Sequence, residues 1–335
     1  MKAVVLNKTG GPKVLQIEDV PNPELTPDGV KIDISFSGIN YADLLSRQGR
    51  YRWSPKRPYI LGLEASGTVS EVGDNVTRFK KGDKVLTGVQ HGAYAEEVVA
   101  PERQVFHSPS HFSDEHAASF IATWGTSWIG LTEMARVRSG ERLLVHAAAG
   151  GVGTAAILLG NALGLEVYGT ASSSNKREFI ESLGATALTY DNFDTEMKNT
   201  PPDCVIETIG GDIYKRSFKL LSPMGRVILI GATGIQINKW NVLSWYKAWK
   251  AMPKTNIQRV IKYSKAFMGV HVGYLLEQVE NINQFTNPLF ELVSKNNLSP
   301  IVHQDHIFPM SKVADAHQFI HDRKNIGKVL LIPNK

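Results

Sequence analysis

The sequence predicts an α/β protein in two parts: a small β-rich, barrel-like domain and a parallel, doubly wound sheet. Residues 1 to about 120 are dense in turn signals, among them Gly10-Gly11-Pro12, Pro21-Asn22-Pro23, Pro27-Asp28-Gly29, Gly73-Asp74-Asn75 and Lys81-Gly82-Asp83, between short runs rich in Val and Ile. Short strands with turns at such spacing build barrels and sandwiches. From about residue 140 the texture changes. The apolar runs Leu143-Leu144-Val145-His146, Glu166-Val167-Tyr168-Gly169, Cys204-Val205-Ile206 and Val227-Ile228-Leu229-Ile230 alternate with helical patterns, as in a parallel sheet crossed by helices. After about residue 266 come Gly269-Val270-His271-Val272-Gly273, helical stretches around 275 to 295 and 311 to 322, and a last strand, Lys328-Val329-Leu330-Leu331-Ile332. Periodicity alone lets this tail join either part. The length of 335 residues, at roughly 150 per domain, agrees with two domains.

Composition excludes several classes. An apolar share of 42% with 21% charged residues is too hydrophobic for a disordered chain. The one cysteine, Cys204, can neither form an internal disulfide nor supply the thiolates of a closed zinc site, which points to a reducing compartment. The apolar run near the N-terminus is too short for a secretory signal, so a cytoplasmic location is expected. The stretch from Ala147 to Leu165 holds five glycines and Asn161, a poor membrane span. A net charge of +5 over 335 residues is too dilute to indicate a specific nucleic-acid partner.

The first chemically loaded motif is Ala147-Ala148-Ala149-Gly150-Gly151-Val152-Gly153, which follows the strand ending at His146 and opens an apolar helical run. Strand, small-residue turn and helix is the context a dinucleotide fingerprint needs: small residues let backbone amides approach a pyrophosphate, and the helix N-terminus adds partial positive charge. Ala147 stands where the strict fingerprint has glycine, giving A-x-x-G-x-x-G. About twenty residues on, where NAD enzymes carry an acid for the ribose hydroxyls, the chain reads Ser172-Ser173-Ser174-Asn175-Lys176. Hydroxyls and an ammonium accept a 2′-phosphate that an Asp would repel, so NADPH is favoured over NADH. The same serines suit the cap of the following helix, and both roles can coexist.

These residues resemble the medium-chain dehydrogenase/reductase superfamily in its zinc-free, zeta-crystallin-like quinone oxidoreductase branch. The resemblance rests on Gly38-Ile39-Asn40, Gly62-Leu63-Glu64-Ala65-Ser66-Gly67, Gly92-Ala93-Tyr94-Ala95-Glu96, the cradle, Gly169-Thr170-Ala171-Ser172 with Lys176, Leu183-Gly184-Ala185, and Gly327-Lys328-Val329. It implies a GroES-like β-barrel catalytic domain formed by residues 1–120 and 266–335, and a Rossmann NADPH-binding domain over 121–265. It further implies a cleft between them for nicotinamide and substrate, and a homodimer is expected. Asn40 and Tyr51 are implied beside the nicotinamide, where an amide and a phenol orient the acceptor oxygen. A second tyrosine of bacterial relatives is Leu45 here. Thr126 and Gly231 are implied near the nicotinamide and the sheet edge, and Tyr190 near the adenosine phosphate or as a structural loop residue.

Zinc-dependent relatives hold their metal through a Cys and a His at positions that read Ser37 and Leu63 here. Leucine cannot ligate zinc. His303/His306 and His317/His321 have metal-compatible spacing but lack an accompanying Glu or Cys, so they read as exposed helix or loop histidines. Without a Lewis acid, an electron-poor quinone or enone is the acceptor that takes hydride with least electrophilic help. Two alternatives stay open: an enoyl-thioester reductase built on the same cradle, and a lipid- or RNA-binding protein with residual cofactor binding. The second draws on the stretch from Ile235 to Met268, where Lys239, Lys247, Lys250, Lys254, Arg259, Lys262 and Lys265 interleave with Trp240, Trp245, Tyr246, Trp249 and Phe267 and there is no acid. Within the superfamily this segment looks most like the vesicle amine transport protein branch. It suits a lid, a dimer surface, or a peripheral membrane contact through 239–265.

Overall fold

The computed structural model describes residues 1–234, 246, 250–253 and 256–333. The chain forms two compact units, Met1–Gly125 with Val272–Lys335, and Thr126–His271.

The first unit is built from strands that pair antiparallel wherever a tight turn joins them. A three-stranded sheet takes β1 (Lys2–Leu6), β2 (Gln16–Asp19) and β4 (Tyr59–Ile60) in the order β2-β1-β4. The larger sheet uses β3 (Gly29–Ile39), β5 (Glu64–Val72), β6 (Lys84–Gly88), β7 (Glu97–Pro101), β8 (Val105–His107), β15 (Val302–Pro309) and β16 (Lys328–Ile332). Its order is β15-β16-β3-β5-β6-β8, with β7 also on β3. The eleven-residue strand β3 is the hub, pairing with β7 at one end, β16 at the other and β5 along its length. Val30, Ile32, Ile34, Val69, Val85 and Val98 fill one core, while Val4, Leu6, Ile39, Leu44, Leu61 and Leu331 fill another. The tail therefore supplies a strand to the N-terminal part of the chain.

The second unit is a six-stranded sheet, all of it parallel. Its strands are β9 (Arg142–Val145), β10 (Glu166–Thr170), β11 (Thr186–Leu188), β12 (Cys204–Glu207), β13 (Arg226–Leu229) and β14 (Ala266–Gly269). The order β11-β10-β9-β12-β13-β14 is that of a doubly wound dinucleotide fold, whose strand order reverses between β9 and β12. Strands β9 and β12 are buried on both faces, as covered parallel strands must be.

The division falls after Gly125 and after His271, rather than at 120/121 and 265/266 as the resemblance implied. Residues 266–269 pair with β13, so the tail leaves the nucleotide-type sheet one strand later. Gly231, implied at the sheet edge, lies just past β13, which stops at Leu229. No helix among the described residues is long and apolar enough to cross a membrane.

Candidate active site

In the first unit, strand register assembles a buried polar cluster. Val329 stands opposite Ile39 and Leu330 opposite Gly38, so continuing the register one step puts Lys328 across from Asn40. On the other side of β3, Ser37 stands opposite Ala65, which brings Glu64 beside Gly38. A Cβ on Gly38 would lie 2.6 Å from Glu64 Oε1 and 2.4 Å from the Ala118 carbonyl oxygen. The glycine of Gly38-Ile39-Asn40 is therefore the space through which Glu64 reaches Asn40.

Asn40 Nδ2 donates to Glu64 Oε1 at 2.9 Å, and Lys328 Nζ donates to Asn40 Oδ1 at 2.6 Å and also to Glu64 Oε1. The remaining carboxylate oxygen of Glu64 accepts from the Ala122 N–H at 3.0 Å. Lys328 and Glu64 are almost fully buried, 4% and 1% exposed, and Asn40 is half-buried. Paired and hydrogen-bonded in this way, the two charges escape the penalty of burial alone.

Asn40 also opens the helix Tyr41–Arg47, and its backbone N–H donates to Asp43 Oδ2 at 2.8 Å. Asp43 is buried, and burial pushes its carboxyl up to about 7. Tyr51 lies in the loop after this helix and packs edge-on against Trp53, with ring centroids 6.3 Å apart. Burial, followed by the nearby Asp43 carboxyl, drives the Tyr51 phenol well above its ordinary value, so it remains a proton-bearing donor. Trp53 anchors the loop: its Nε1 donates to Glu277 Oε2 at 2.8 Å, and its carbonyl accepts from Gln90 Nε2 at 2.7 Å. Gly273, at the start of the helix Val272–Gln278, lies so close that a Cβ would sit 2.4 Å from the indole.

Ser37, at the first zinc-ligand position of metal-dependent relatives, is buried and donates to the Ala93 carbonyl at 2.5 Å. Leu63 has no ligating atom. These two positions do not fit the ion, and no three His, Cys, Asp or Glu side chains converge among the described residues. The expectation of exposed histidines is corrected at two positions. His317 is fully buried and His306 is 5% exposed, because His317 lies with Val313 and Ala316 on the core-facing side of the helix Val313–His321. His317 Nε2 is 3.5 Å from the Tyr94 hydroxyl, and burial pushes its imidazole down to about 3.

In the second unit, the cradle follows β9 at the reversal of strand order. Ala147 has φ 51°, the left-handed conformation the fingerprint normally gives to glycine. Its N–H donates to the Tyr190 hydroxyl at 3.2 Å, so Tyr190 supports the turn itself. The helix Gly151–Ala162 begins next with Gly150 as its cap, leaving the first N–H groups, those of Gly151, Val152 and Gly153, without acceptors inside the helix. A Cβ on Gly153 would lie 2.5 Å from the Ala147 oxygen and from Ala148 Cα. The turn thus fits a pyrophosphate closely approached by backbone.

At the next corner, Ser172 is exposed and Lys176 is half-buried on the helix Ser174–Ser182. Ser173 occupies the cap position, but its hydroxyl donates to Asn175 Oδ1, which in turn accepts the Lys176 N–H at 2.9 Å. The cap reading of the serines therefore fails at Ser173. Thr126 is buried in the helix Ile121–Trp128, and Gly231 is exposed just past β13.

Sequence reading missed the support beneath the cradle. His146 is fully buried and joins Thr170 Oγ1 at 2.8 Å and Ser217 Oγ at 2.7 Å, tying together the ends of β9 and β10 and the helix Gly211–Leu220. Burial, with Arg216 adding to it, pushes His146 down to about 3. Glu207, 3.9 Å away, is pushed up to about 7 by burial while its Oε1 accepts from the Ile209 and Gly210 N–H groups. Lys328 and Glu64 entered only as members of motifs that carry the resemblance, with no site role, and Asp43 not at all, although a lysine opening a Val-Leu-Leu-Ile strand and a glutamate inside an apolar run are both signals of paired buried charge.

Residues 26–110 match the alcohol dehydrogenase GroES-like domain, and residues 151–287 match the zinc-binding dehydrogenase family. The chain is 33% identical to the synaptic vesicle membrane protein VAT-1 homolog of Rattus norvegicus, across 99% of this chain and 84% of that one. It is 30% identical to the quinone oxidoreductase of Rattus norvegicus, across 99% and 98%. The crystal structure of Escherichia coli quinone oxidoreductase complexed with NADPH superposes with a TM-score of 0.87 at 25% identity, covering 99% of this chain and 100% of that one.

Proposed function

Because this chain belongs to the group of quinone oxidoreductases and VAT-1 homologues within the medium-chain dehydrogenase/reductase superfamily, we propose that it reduces quinones or activated enones with NADPH and without a metal ion. The observation that carries the reading is a dinucleotide cradle followed by a corner that offers Ser172 and Lys176 and no acid. NADPH supplies the hydride when bound. The N–H groups of Gly151, Val152 and Gly153 face its pyrophosphate, with Ala147 and Gly150 shaping the turn and Tyr190 bracing it. Lys176 and Ser172 hold the 2′-phosphate, and Thr126 and Gly231 border the nicotinamide. On the acceptor side, Asn40 and Tyr51 donate hydrogen bonds to the oxygen on which negative charge develops, the kind of help an electron-poor acceptor needs in place of a Lewis acid.

The test is the rate of NADPH oxidation by chelator-treated protein with phenanthrenequinone, with NADH and a crotonyl thioester as comparisons. Fast, NADPH-selective turnover of the quinone supports the reading. Turnover of the thioester alone replaces it with enoyl reduction, and no turnover of either overturns it.

A peripheral contact with an anionic membrane is the second reading, favoured by the helix Ile257–Lys262, which leaves Ile257 and Ile261 more than 70% exposed beside Arg259 and Lys262. Of the basic stretch noted in the sequence, Lys239, Trp240, Trp245, Lys247, Trp249 and Lys254 lie outside the described residues. Co-sedimentation with phosphatidylserine vesicles, lost on Arg259→Glu/Lys262→Glu while quinone turnover persists, supports a separate membrane contact. Equal binding by that variant removes it. A homodimer is proposed as well, supported by β14 standing at the edge of the described sheet; light scattering at the monomer mass of 36.9 kDa would remove it.

A further inference from the structure

We propose that Lys328 and Glu64 are positioning residues that lock the Asn40 amide in one orientation, presenting a single N–H to the acceptor oxygen. The inference rests on the reading that Asn40 touches the acceptor.

The chemistry of the three groups leaves one arrangement. An ammonium only donates, an ionised carboxylate only accepts, and an amide does both from opposite ends. With Lys328 Nζ 2.6 Å from Asn40 Oδ1, and Nδ2 2.9 Å from Glu64 Oε1, both contacts are satisfied. Rotating the amide by half a turn would set oxygen against carboxylate and NH₂ against ammonium, losing two charge-assisted hydrogen bonds and adding two repulsions. One Nδ2 hydrogen is engaged by Glu64. The other belongs to a half-buried side chain and remains to donate to a ligand. The ammonium on Oδ1 also draws electron density from the amide and makes that N–H a better donor.

Three contacts frame the clamp. Gly38 leaves Glu64 its channel, the Ala122 N–H holds the second carboxylate oxygen, and the β16–β3 register fixes Lys328 opposite Asn40. Without the clamp, the amide samples both orientations and exposes its oxygen to the acceptor part of the time. That loss falls on the chemical step and leaves the nucleotide cradle, in the other unit, untouched.

The test compares Asn40→Ala, Lys328→Met, Lys328→Arg and the double variant Asn40→Ala/Lys328→Met. Readouts are NADPH oxidation with phenanthrenequinone and the side-chain amide resonances of Asn40 in ¹⁵N-labelled protein. Lys328→Met is expected to lower kcat by about tenfold, the scale of one hydrogen bond to a charged group, with KM for NADPH unchanged. Lys328→Arg recovers much of the loss, and the double variant turns over no more slowly than Asn40→Ala. The two Asn40 amide protons, widely separated in the parent, converge in Lys328→Met. Multiplicative losses in the double variant, or a folded Lys328→Met with parental kcat and parental amide resonances, would overturn the proposal.

Parental turnover in Asn40→Ala would remove Asn40 from the acceptor site instead, and the amide resonances would still decide whether the clamp exists. Should Lys328→Met fail to fold through the uncompensated Glu64 charge, Lys328→Met/Glu64→Gln leaves no unpaired ion and carries the same expectations.

Discussion

At the scale of single residues, Ala147 and Gly153 divide the work of the cradle. Ala147 holds φ 51°, which costs a residue with a Cβ about 1–2 kcal/mol, while glycine would bring about 0.5–1 kcal/mol of added chain entropy to lose. Ala147→Gly is therefore expected to raise stability by about 0.5 kcal/mol in denaturant unfolding and to keep NADPH affinity. Gly153→Ala should abolish NADPH binding in a fluorescence titration, because its Cβ would collide with backbone at 2.5 Å. Lys176→Asp should weaken NADPH at least tenfold more than NADH, and equal losses would remove Lys176 from the 2′-phosphate corner. The turn at Ala147 and the helix start at Gly151 were legible because both are local properties of the sequence. The Asn40 clamp was not, since its lysine lies 288 residues away in the chain and only strand register brings it near. His146 escaped for another reason, as one histidine ending an apolar strand carries no pattern.

At the scale of elements, glycines set how closely loops and strands approach. Gly273→Ala would drive a Cβ to 2.4 Å from Trp53, whose ring is tied down by Glu277 and whose backbone carbonyl is held by Gln90, so relief requires moving the loop that carries Tyr51. The expected outcome is a loss of about 1–3 kcal/mol of stability and a raised KM for the quinone, with NADPH affinity retained. Gly38→Ala meets backbone as well as Glu64 and is expected to be at least as damaging, with lost turnover besides. Most strands could be read from turn chemistry and valine-rich runs, and the parallel sheet from its alternation with helices. The assignment of 266–269 could not. Ala-Phe-Met-Gly has neither alternation nor a strong apolar run, and its partner β13 decides its place. The helix Val313–His321 was expected, but its buried face was misjudged because histidine was taken as a surface residue.

At the scale of the molecule, four buried groups with large shifts pull the response to pH in opposite directions. Asp43 and Glu207, held near 7, keep their protons in the folded state where the unfolded chain has lost them, so folding weakens as pH rises from about 4 to 7. His146 and His317, pushed down to about 3, stay neutral where the unfolded chain charges, so folding weakens as pH falls from about 6.5 to 3. The two pairs oppose each other between about 4.5 and 6.5, and the downward shifts that burial gives His91, His116 and His271 add to the histidine side. His146→Gln removes one compensating proton. Relative to the parent, it should tilt stability downward with rising pH by about 1.4 kcal/mol per unit in the same window, measured by denaturant unfolding of both proteins at several pH values; parallel profiles would remove the compensation.

The threading of the tail sets an order on the molecule's making. The second unit is one continuous stretch, Thr126–His271, whereas the first is closed by a strand that begins at Lys328. A ribosome therefore completes the nucleotide half long before it delivers the ammonium that disciplines Asn40. A chain interrupted between these points carries the cradle without the clamp, so that on the proposed reading capture of coenzyme and competence toward an acceptor arrive at different moments of synthesis.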